Sequence, residues 1–313
     1  MTLHEFWRAE YRKKRYLEHV GQDDLEQRVR DIFTNMLELT PEGKLGFPPV
    51  DRGSRYWIKV WTDVLEELVL RNGYFRPGFL KGAPVPRGCW PNVPRAYAAL
   101  GGRDFGKGAC LFKFGKAKYL HETLASGRLR VASASSYSDP SLNYAIKDDE
   151  LSFTIQVPGD GVFIQKVDES TLKPVGEKIP VMGNITQTHR TPTDYLVFCM
   201  SASYELRAID DFEGDCCLVI KDVKAFLDRL LKGVLVHVPY WAARVGPVVY
   251  LDPLNTKPQE VRPYFGKYFR YAYQNEVRVV WVPPEPTAKV EPVFTSLGSL
   301  QDIAELLVVR DAR

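Results

Sequence analysis

The chain has 313 residues, of which 45% are hydrophobic and 26% are charged, and its 23 glycines and 22 prolines follow no period. This composition excludes collagen, coiled coils and wholly disordered proteins. The net charge of +3 also excludes a polycation that binds nucleic acid through its total charge alone.

Two amphipathic helices are predicted in the first hundred residues. Apolar residues recur at helical spacing over 25–37 and again over 57–69. We interpret Trp57 and Trp61, which lie on the second apolar stripe, as core residues. Residues 74–108 are rich in proline and glycine and show no periodicity, which predicts a long connection or a domain boundary.

From residue 110 onward the pattern changes to short strands with a few helices between them. Helices are predicted over 116–126, over 223–231 behind Asp222 as cap, and near Ser299. The sequence VPGDG at 157–161 predicts a hairpin. The predicted strands are 110–114, 128–135, 151–157, 161–167, 195–201, 217–222, 234–241, 246–251 and 268–282.

The order of these elements predicts an α+β fold. Strands do not alternate with helices as in βαβ units, which argues against Rossmann and TIM-barrel architectures. We therefore expect two domains. Residues 1–100 form a helical N-terminal domain with a Pro/Gly-rich connection, and residues 101–313 form an α+β domain with a mixed, mostly antiparallel sheet.

Charge and cysteine content indicate a reduced protein with a local site for anions. Residues 51–135 hold fifteen Lys/Arg against six Asp/Glu, and residues 143–215 reverse this with thirteen acids against six bases. The basic stretch suits either an anionic partner or ordinary solvation. Five cysteines without CxxC or zinc-type histidine spacing predict no metal site and a cytoplasmic location. Adjacent Cys216 and Cys217 should face opposite sides of a sheet.

One polar segment at 271–281 stands out, because the familiar nucleotide-binding and hydrolase motifs are absent. In a strand Gln274, Glu276 and Arg278 would share one face. A carboxylate there, with a carboxamide two residues before it, can bind sugar hydroxyls and face a developing cation. The alternative is an edge strand whose Glu276–Arg278 pair faces water.

The order of several short motifs resembles a bacterial family of uncharacterised proteins and, through it, the ADP-ribosyltransferase superfamily. The motifs are Leu111-Phe-Lys-Phe114, then Arg128-Leu-Arg-Val-Ala-Ser-Ala-Ser-Ser-Tyr-Ser-Asp-Pro140, then Phe198-Cys-Met-Ser201, and finally Gln274-Asn-Glu-Val-Arg278. The resemblance covers about residues 109–282. It implies a sheet core of ADP-ribosyltransferase type.

The resemblance also implies site residues. Glu276 matches the catalytic glutamate that binds the nicotinamide ribose and stabilises an oxocarbenium-like transition state. Gln274 matches the residue that helps to select the acceptor. The cofactor-binding residues that it implies are Phe112 and Lys113 in the first strand, the serines Ser133, Ser135 and Ser136, and Tyr137 or Tyr144 as the aromatic ring stacked on nicotinamide.

The first strand departs from the superfamily pattern. Characterised members carry Arg or His there to hold the cofactor, whereas this chain has Lys113. Lysine can hold a phosphate as a point charge but lacks the planar fork of arginine.

The function implied by the resemblance is an NAD-dependent ADP-ribosyltransferase that acts inside bacteria as a toxin or antiphage defence effector. NAD is then the substrate, a macromolecule is the acceptor, and an antitoxin is an expected partner. The basic, aromatic-rich stretch favours nucleic acid over protein as acceptor. Two alternatives remain: a non-catalytic module that binds nucleic acid or protein, and an NAD glycohydrolase in which water replaces the acceptor.

Overall fold

The computed structural model describes residues 1–46, 54–81, 90–106, 108–160 and 162–309. The fold is mixed α+β with mostly antiparallel strand pairing, as the sequence predicted. The helices are α1 Leu3–Lys13, α2 Gln22–Met36, α3 Arg55–Leu70, α4 Val93–Leu100, α5 Ala117–Ser126, α6 Ala208–Asp211 and α7 Val223–Leu235. Within the described residues, no helix combines the length and apolar composition that a bilayer span requires.

The strands are short and spread along the whole chain. They are β1 Glu38–Leu39, β2 Leu45–Gly46, β3 Leu111–Gly115, β4 Arg128–Ser133, β5 Ser152–Pro158, β6 Phe163–Val167, β7 Pro174–Pro180, β8 Asn184–Arg190, β9 Leu196–Ser201, β10 Cys216–Ile220, β11 Ala242–Pro247, β12 Val249–Leu251, β13 Gly266–Tyr268, β14 Glu276–Val282, β15 Val293–Ser296 and β16 Ala304–Val308.

The main sheet has the strand order β11-β14-β9-β3-β10-β16, with β4 paired to β9 and β15 paired to β4. All of these pairs are antiparallel. Every residue of β10 is buried, because apolar clusters cover both faces of the sheet. Cys216 packs into one cluster and Cys217 into the other, which confirms that they face opposite sides.

The strands between β4 and β9 form two two-stranded ribbons that are separate from the main sheet. β5 pairs with β8 and β6 pairs with β7, so the two ribbons are nested. The predicted hairpin at VPGDG is therefore wrong, since β5 is not the partner of β6. Gly161 lies outside the described residues, and the described part of this sequence runs from the end of β5 toward β6 without pairing them.

The N-terminal helices pack on residues from the C-terminal half. Their apolar cluster, which includes Leu25 and Val64, also contains Leu254 and Phe269. Trp57 and Trp61 pack against this cluster, as their place on the stripe predicted.

Three sequence-based assignments were wrong. The predicted strand over 234–241 begins inside α7, which continues to Leu235. The predicted helix near Ser299 is one turn that leads into β16, where Leu307 pairs with Cys217. The stretch at 74–108, of which 82–89 and 107 lie outside the described residues, contains α4 although it shows no periodicity. In the first two cases a short apolar run fits both periods, and the pairing with distant residues decides between them.

Candidate active site

Gln274 and Glu276 reach the same cavity because the chain turns between them. Gln274 ends a 3-10 helix over Phe269–Gln274, and Asn275 adopts a left-handed conformation with φ of 44°. Asparagine tolerates this region better than most residues. The predicted single strand over 268–282 is therefore wrong, and it is the turn rather than a shared strand face that brings both side chains to one cavity.

The cavity has a volume of about 200 Å³ and lies against β3, β9 and the start of β14. Most of the remaining wall comes from the chain between β4 and β5. The lining residues are Phe112, Lys113, Phe114, Tyr137, Ala145, Ile146, Glu150, Cys199, Met200, Ser201, Phe212, Lys267, Gln274 and Glu276.

Four charged side chains form a network at one wall of this cavity. Glu276 Oε2 accepts a hydrogen bond from Lys267 Nζ at 2.9 Å, and its Oε1 accepts one from Arg278 Nε. Glu150 accepts one from Arg278 Nη2 at 2.7 Å and lies 3.8 Å from Lys267 Nζ. None of the four side chains is more than 6% exposed. The two carboxylates and two cations balance in charge.

The network fixes the ionisation of its members. Burial raises the pKa of Glu276, but the charges of Arg278 and Lys267 lower it further, so this pKa lies well below its usual range. Burial lowers the pKa of Lys267, but Glu276 and Glu150 raise it well above its ordinary value. Glu276 is therefore a permanent carboxylate and Lys267 a permanent cation near neutral pH.

The position of β14 excludes an edge-strand explanation for Glu276. β14 lies between β11 and β9 and pairs with both. Arg278 is fully buried, and Glu276 is only 6% exposed. The two residues do form an ion pair, but it lies inside the protein, where solvent and salt screen it far less than at a surface.

Lys113 lies at a gap in the main sheet, where β9 changes its pairing partner from β3 to β4. In the registered pairs, β3 meets β9 at Ser201, whereas β4 meets β9 at Leu196 and Val197. Between these points Lys113 Nζ donates to the carbonyl oxygen of Cys199 at 2.8 Å. Burial lowers the pKa of Lys113. A lysine amine thus satisfies a carbonyl that a neighbouring strand would otherwise reach.

The other predicted site residues fall into two groups. Phe112 and Tyr137 line the cavity with Glu276. Tyr144 lies outside it and donates to Asp211 Oδ1 at 2.6 Å.

The three predicted serines make local hydrogen bonds. Ser135 Oγ donates to Asp194 Oδ2 at 2.6 Å, and Ser136 Oγ donates to the Ser133 carbonyl oxygen at 2.6 Å. Ser133 itself is buried at the end of β4. None of the three is among the described residues that line the cavity.

Sequence reasoning missed Lys267 and Glu150. Lys267 lies on β13, a three-residue strand inside a loop-like stretch, and Glu150 closes the acidic run Asp148-Asp149-Glu150. No motif marks either residue. An isolated lysine between aromatic residues is the one weak signal, because such a lysine is buried only when carboxylates pair with it.

No protein-family model, curated protein or solved structure matches this chain. In the parts of the chain that the structure describes, no group of three or more His, Cys, Asp or Glu side chains could hold a metal ion. The interpretation of the cavity therefore depends on its own residues.

Proposed function

We propose that the chain is an NAD-dependent ADP-ribosyltransferase, a bacterial toxin or antiphage effector that modifies a macromolecule, with a sheet core of that superfamily's type. The observation that supports this most is the buried carboxylate of Glu276, which Lys267 and Arg278 hold at the wall of a small cavity. Gln274 and Lys113, which the resemblance also implies, line the same cavity. A fold-level resemblance alone would not carry the proposal.

The chemistry requires an anion beside the ribose. The bond between the anomeric carbon and the nicotinamide nitrogen breaks, and nicotinamide leaves with the bonding electron pair. The acceptor nucleophile then adds to the anomeric carbon and loses a proton. Positive charge develops on the ribose during this step, and a fixed carboxylate in a site of low dielectric stabilises it. Lys267 and Arg278 would hold Glu276 in place for this role.

The cavity residues fit the nicotinamide end of NAD. At about 30 Å³ per water molecule, 200 Å³ corresponds to about seven waters, which is room for a small ring and part of a ribose. Tyr137 and Phe114 line this space as aromatic surface. Lys113 is the cation beside it that could attract a phosphate. The rest of the dinucleotide must lie outside the cavity.

Both the oxygen and the nitrogen of the Gln274 side-chain amide form hydrogen bonds within the protein. Its Oε1 accepts from Lys267 Nζ at 3.2 Å, and its Nε2 donates to the Ala145 carbonyl oxygen at 2.8 Å. In this proposal Gln274 shapes the wall next to Glu276, and its contribution to acceptor choice acts through that shape.

The test is nicotinamide release and transfer of labelled ADP-ribose to a cell extract. We expect Glu276→Gln to lower both by at least about 100-fold, because the charge that stabilises the transition state is lost. Glu276→Asp keeps the charge, so it should stay folded while its misplaced carboxylate also lowers the rate. Glu291→Gln changes an exposed carboxylate and serves as the control. Digestion of the labelled extract with protease, DNase or RNase then identifies the acceptor class.

A result in which folded Glu276→Gln protein releases nicotinamide as fast as the parent would rule out the proposal. Growth arrest on expression in bacteria should likewise require Glu276. Release of nicotinamide without any labelled macromolecule would instead indicate a glycohydrolase.

One observation favours a second function, that of a non-catalytic binding module. Both carboxylates and both cations of the network are already paired with one another. Such a network can be purely structural. In that case Glu276→Gln would lower stability without any NAD-dependent activity existing in the parent protein.

A further inference from the structure

A second, larger cavity opens beside the candidate active site. It has a volume of about 590 Å³ and lies among β3, β4, α5 and the buried side chains of β10 and α7. Lys113 and Phe114 line both this groove and the active-site cavity, so the two spaces are neighbours. We call it the α5–β4 groove.

The rim of the groove is basic. Its charged lining consists of Lys113, Lys116, Arg128 and Arg130 against the single acid Glu122. Glu122 is paired with Arg128 Nη1 at 2.8 Å. Arg130 is exposed and makes no ion pair or side-chain hydrogen bond within the described residues. Three cations are therefore left without a carboxylate to balance them among the lining residues.

Two aromatic rings stand exposed on the same groove. Tyr119 is 61% exposed and Phe294 is 63% exposed. Phe294 on β15 pairs directly with Arg130 on β4, so both side chains lie on the same face of the β4–β15 pair. Lys118 Nζ lies 4.6 Å from the centre of the Tyr119 ring, and Phe294 lies beside the guanidinium of Arg130, which is unpaired among the described residues, so both rings are exposed next to cations.

We propose that the α5–β4 groove binds single-stranded nucleic acid, with bases stacked on Tyr119 and Phe294 and phosphates held by Arg128, Arg130 and Lys116. Arg128 and Arg130 are two residues apart on one strand, about 6.6 Å along it, so they can contact different phosphates of an extended strand. A groove of cations with stacking rings is the arrangement that binds unpaired bases without sequence preference.

A duplex fits this groove less well, because its bases are stacked on each other and cannot reach the rings.

The inference rests on the proposed function only where it names this strand as the acceptor of ADP-ribose. The groove and the cavity meet at Lys113 and Phe114, but they lie on opposite faces of the main sheet, because Lys113 pairs with Leu218 of the groove whereas Glu276 and Phe112 share a face through Ser201. An acceptor base would have to reach Glu276 through the gap in the sheet beside Lys113.

The test is fluorescence anisotropy of a labelled single-stranded oligonucleotide of about ten nucleotides, without NAD. We expect Phe294→Ala to weaken binding by about tenfold through lost stacking. Arg130→Gln should weaken it several-fold and reduce the slope of log K against log salt by about one. Tyr74→Ala and Arg244→Gln, which change an exposed ring and an exposed cation elsewhere, are the matched controls and should leave binding unchanged.

Three outcomes would overturn the proposal. The first is no binding of the oligonucleotide, and the second is equal binding by the groove variants and the parent protein. In the third, AMP displaces the oligonucleotide and Arg130→Gln weakens the binding of AMP as well. The groove would then be a site for a nucleotide cofactor. Glu276→Gln should retain full oligonucleotide binding. The binding assay therefore tests the groove, and NAD cleavage separately tests the proposed function.

Discussion

At the scale of single residues, the candidate active site depends on a buried lysine that balances two carboxylates. Lys267 contacts Glu276 at 2.9 Å and Glu150 at 3.8 Å. Without it the two acids would face Arg278 alone, and part of their negative charge would be buried unbalanced. Removing one partner of such a network is costly because the remaining charge cannot be hydrated. The site's anionic group is thus held both by Arg278 of its own motif and by Lys267, which lies outside the motif.

A partly buried carboxyl group outside the site, that of Asp31, should make stability depend on pH. Burial raises the pKa of Asp31 to about 6, although Gln27 donates to it at 2.8 Å and arginines 270, 28 and 30 oppose the shift. Its folded-state pKa therefore exceeds its unfolded value of about 3.9. Between these values the folded state binds more protons, so stability falls as pH rises from about 4 to about 6 and stays lower above it.

We expect Asp31→Asn to raise the free energy of unfolding by about 2 kcal/mol at pH 8 and to leave it unchanged at pH 4. Urea unfolding at both pH values measures this. Asp24→Asn, at an exposed position of α2, should show no such difference between the two pH values. An equal gain at pH 4 and pH 8 for Asp31→Asn would mean that ionisation of Asp31 is not the cause.

At the scale of elements, one glycine determines how α5 meets β15. Gly127 ends α5 with φ of 70°, directly after the helix that the sequence predicted over 116–126. A side chain there would also meet backbone, since a Cβ atom would lie 2.2 Å from the Gly298 carbonyl oxygen. Because Gly127 has no side chain, β15 can approach β4 closely and form one side of the α5–β4 groove.

Gly127→Ala should therefore destabilise the protein by at least about 3 kcal/mol, because both the positive φ and the backbone clash oppose it. Gly101→Ala is the matched control. Gly101 ends α4 with φ of 58° and has nothing within 4 Å of an added Cβ, so it should lose only about 1 kcal/mol. Thermal or urea unfolding of the two variants gives the comparison. Similar losses for both would show that the backbone contact at Gly127 can relax.

At the scale of the whole molecule, the N-terminal helices are tied to the C-terminal half by a buried ion pair. Arg28 Nη1 and Nη2 donate to Asp252 at 2.5 and 2.6 Å, and the Arg28 side chain is 1% exposed. The same helices share an apolar cluster with Leu254 and Phe269. The two predicted domains, 1–100 and 101–313, are therefore expected to unfold together.

Arg28→Met should lower the free energy of unfolding by about 3–5 kcal/mol, because it leaves Asp252 buried without its cation. Adding Asp252→Asn to this variant should restore part of the loss. Arg229→Met breaks an exposed pair with Asp302 and should cost less than about 1 kcal/mol. Urea unfolding of the single and double variants tests the coupling. A double variant as unstable as the sum of the single variants would show that the pair is not coupled.

Much of the local structure was predictable from the residues. The stripes of α2 and α3, the end of α5 at Gly127, the strand at 196–201 and the opposed faces of Cys216 and Cys217 all follow from period and turn chemistry. The fold class followed as well, because it needs only the order of elements. Short apolar runs such as 234–241 and 300–307 did not, because both periods fit them.

The sequence by itself determined an α+β chain and pointed to Glu276 with Gln274 as the polar pair worth testing. Only the tertiary structure decided that this pair is buried in a cavity rather than exposed on an edge, that Lys267 and Glu150 complete its charge network, and that Tyr119, Arg130 and Phe294 share a groove. The physical reason is distance along the chain. Periodicity reports the neighbours of a residue within one element, whereas burial and charge pairing arise between different elements, which are nine residues apart for Lys267 and Glu276 and 128 apart for Glu150 and Arg278.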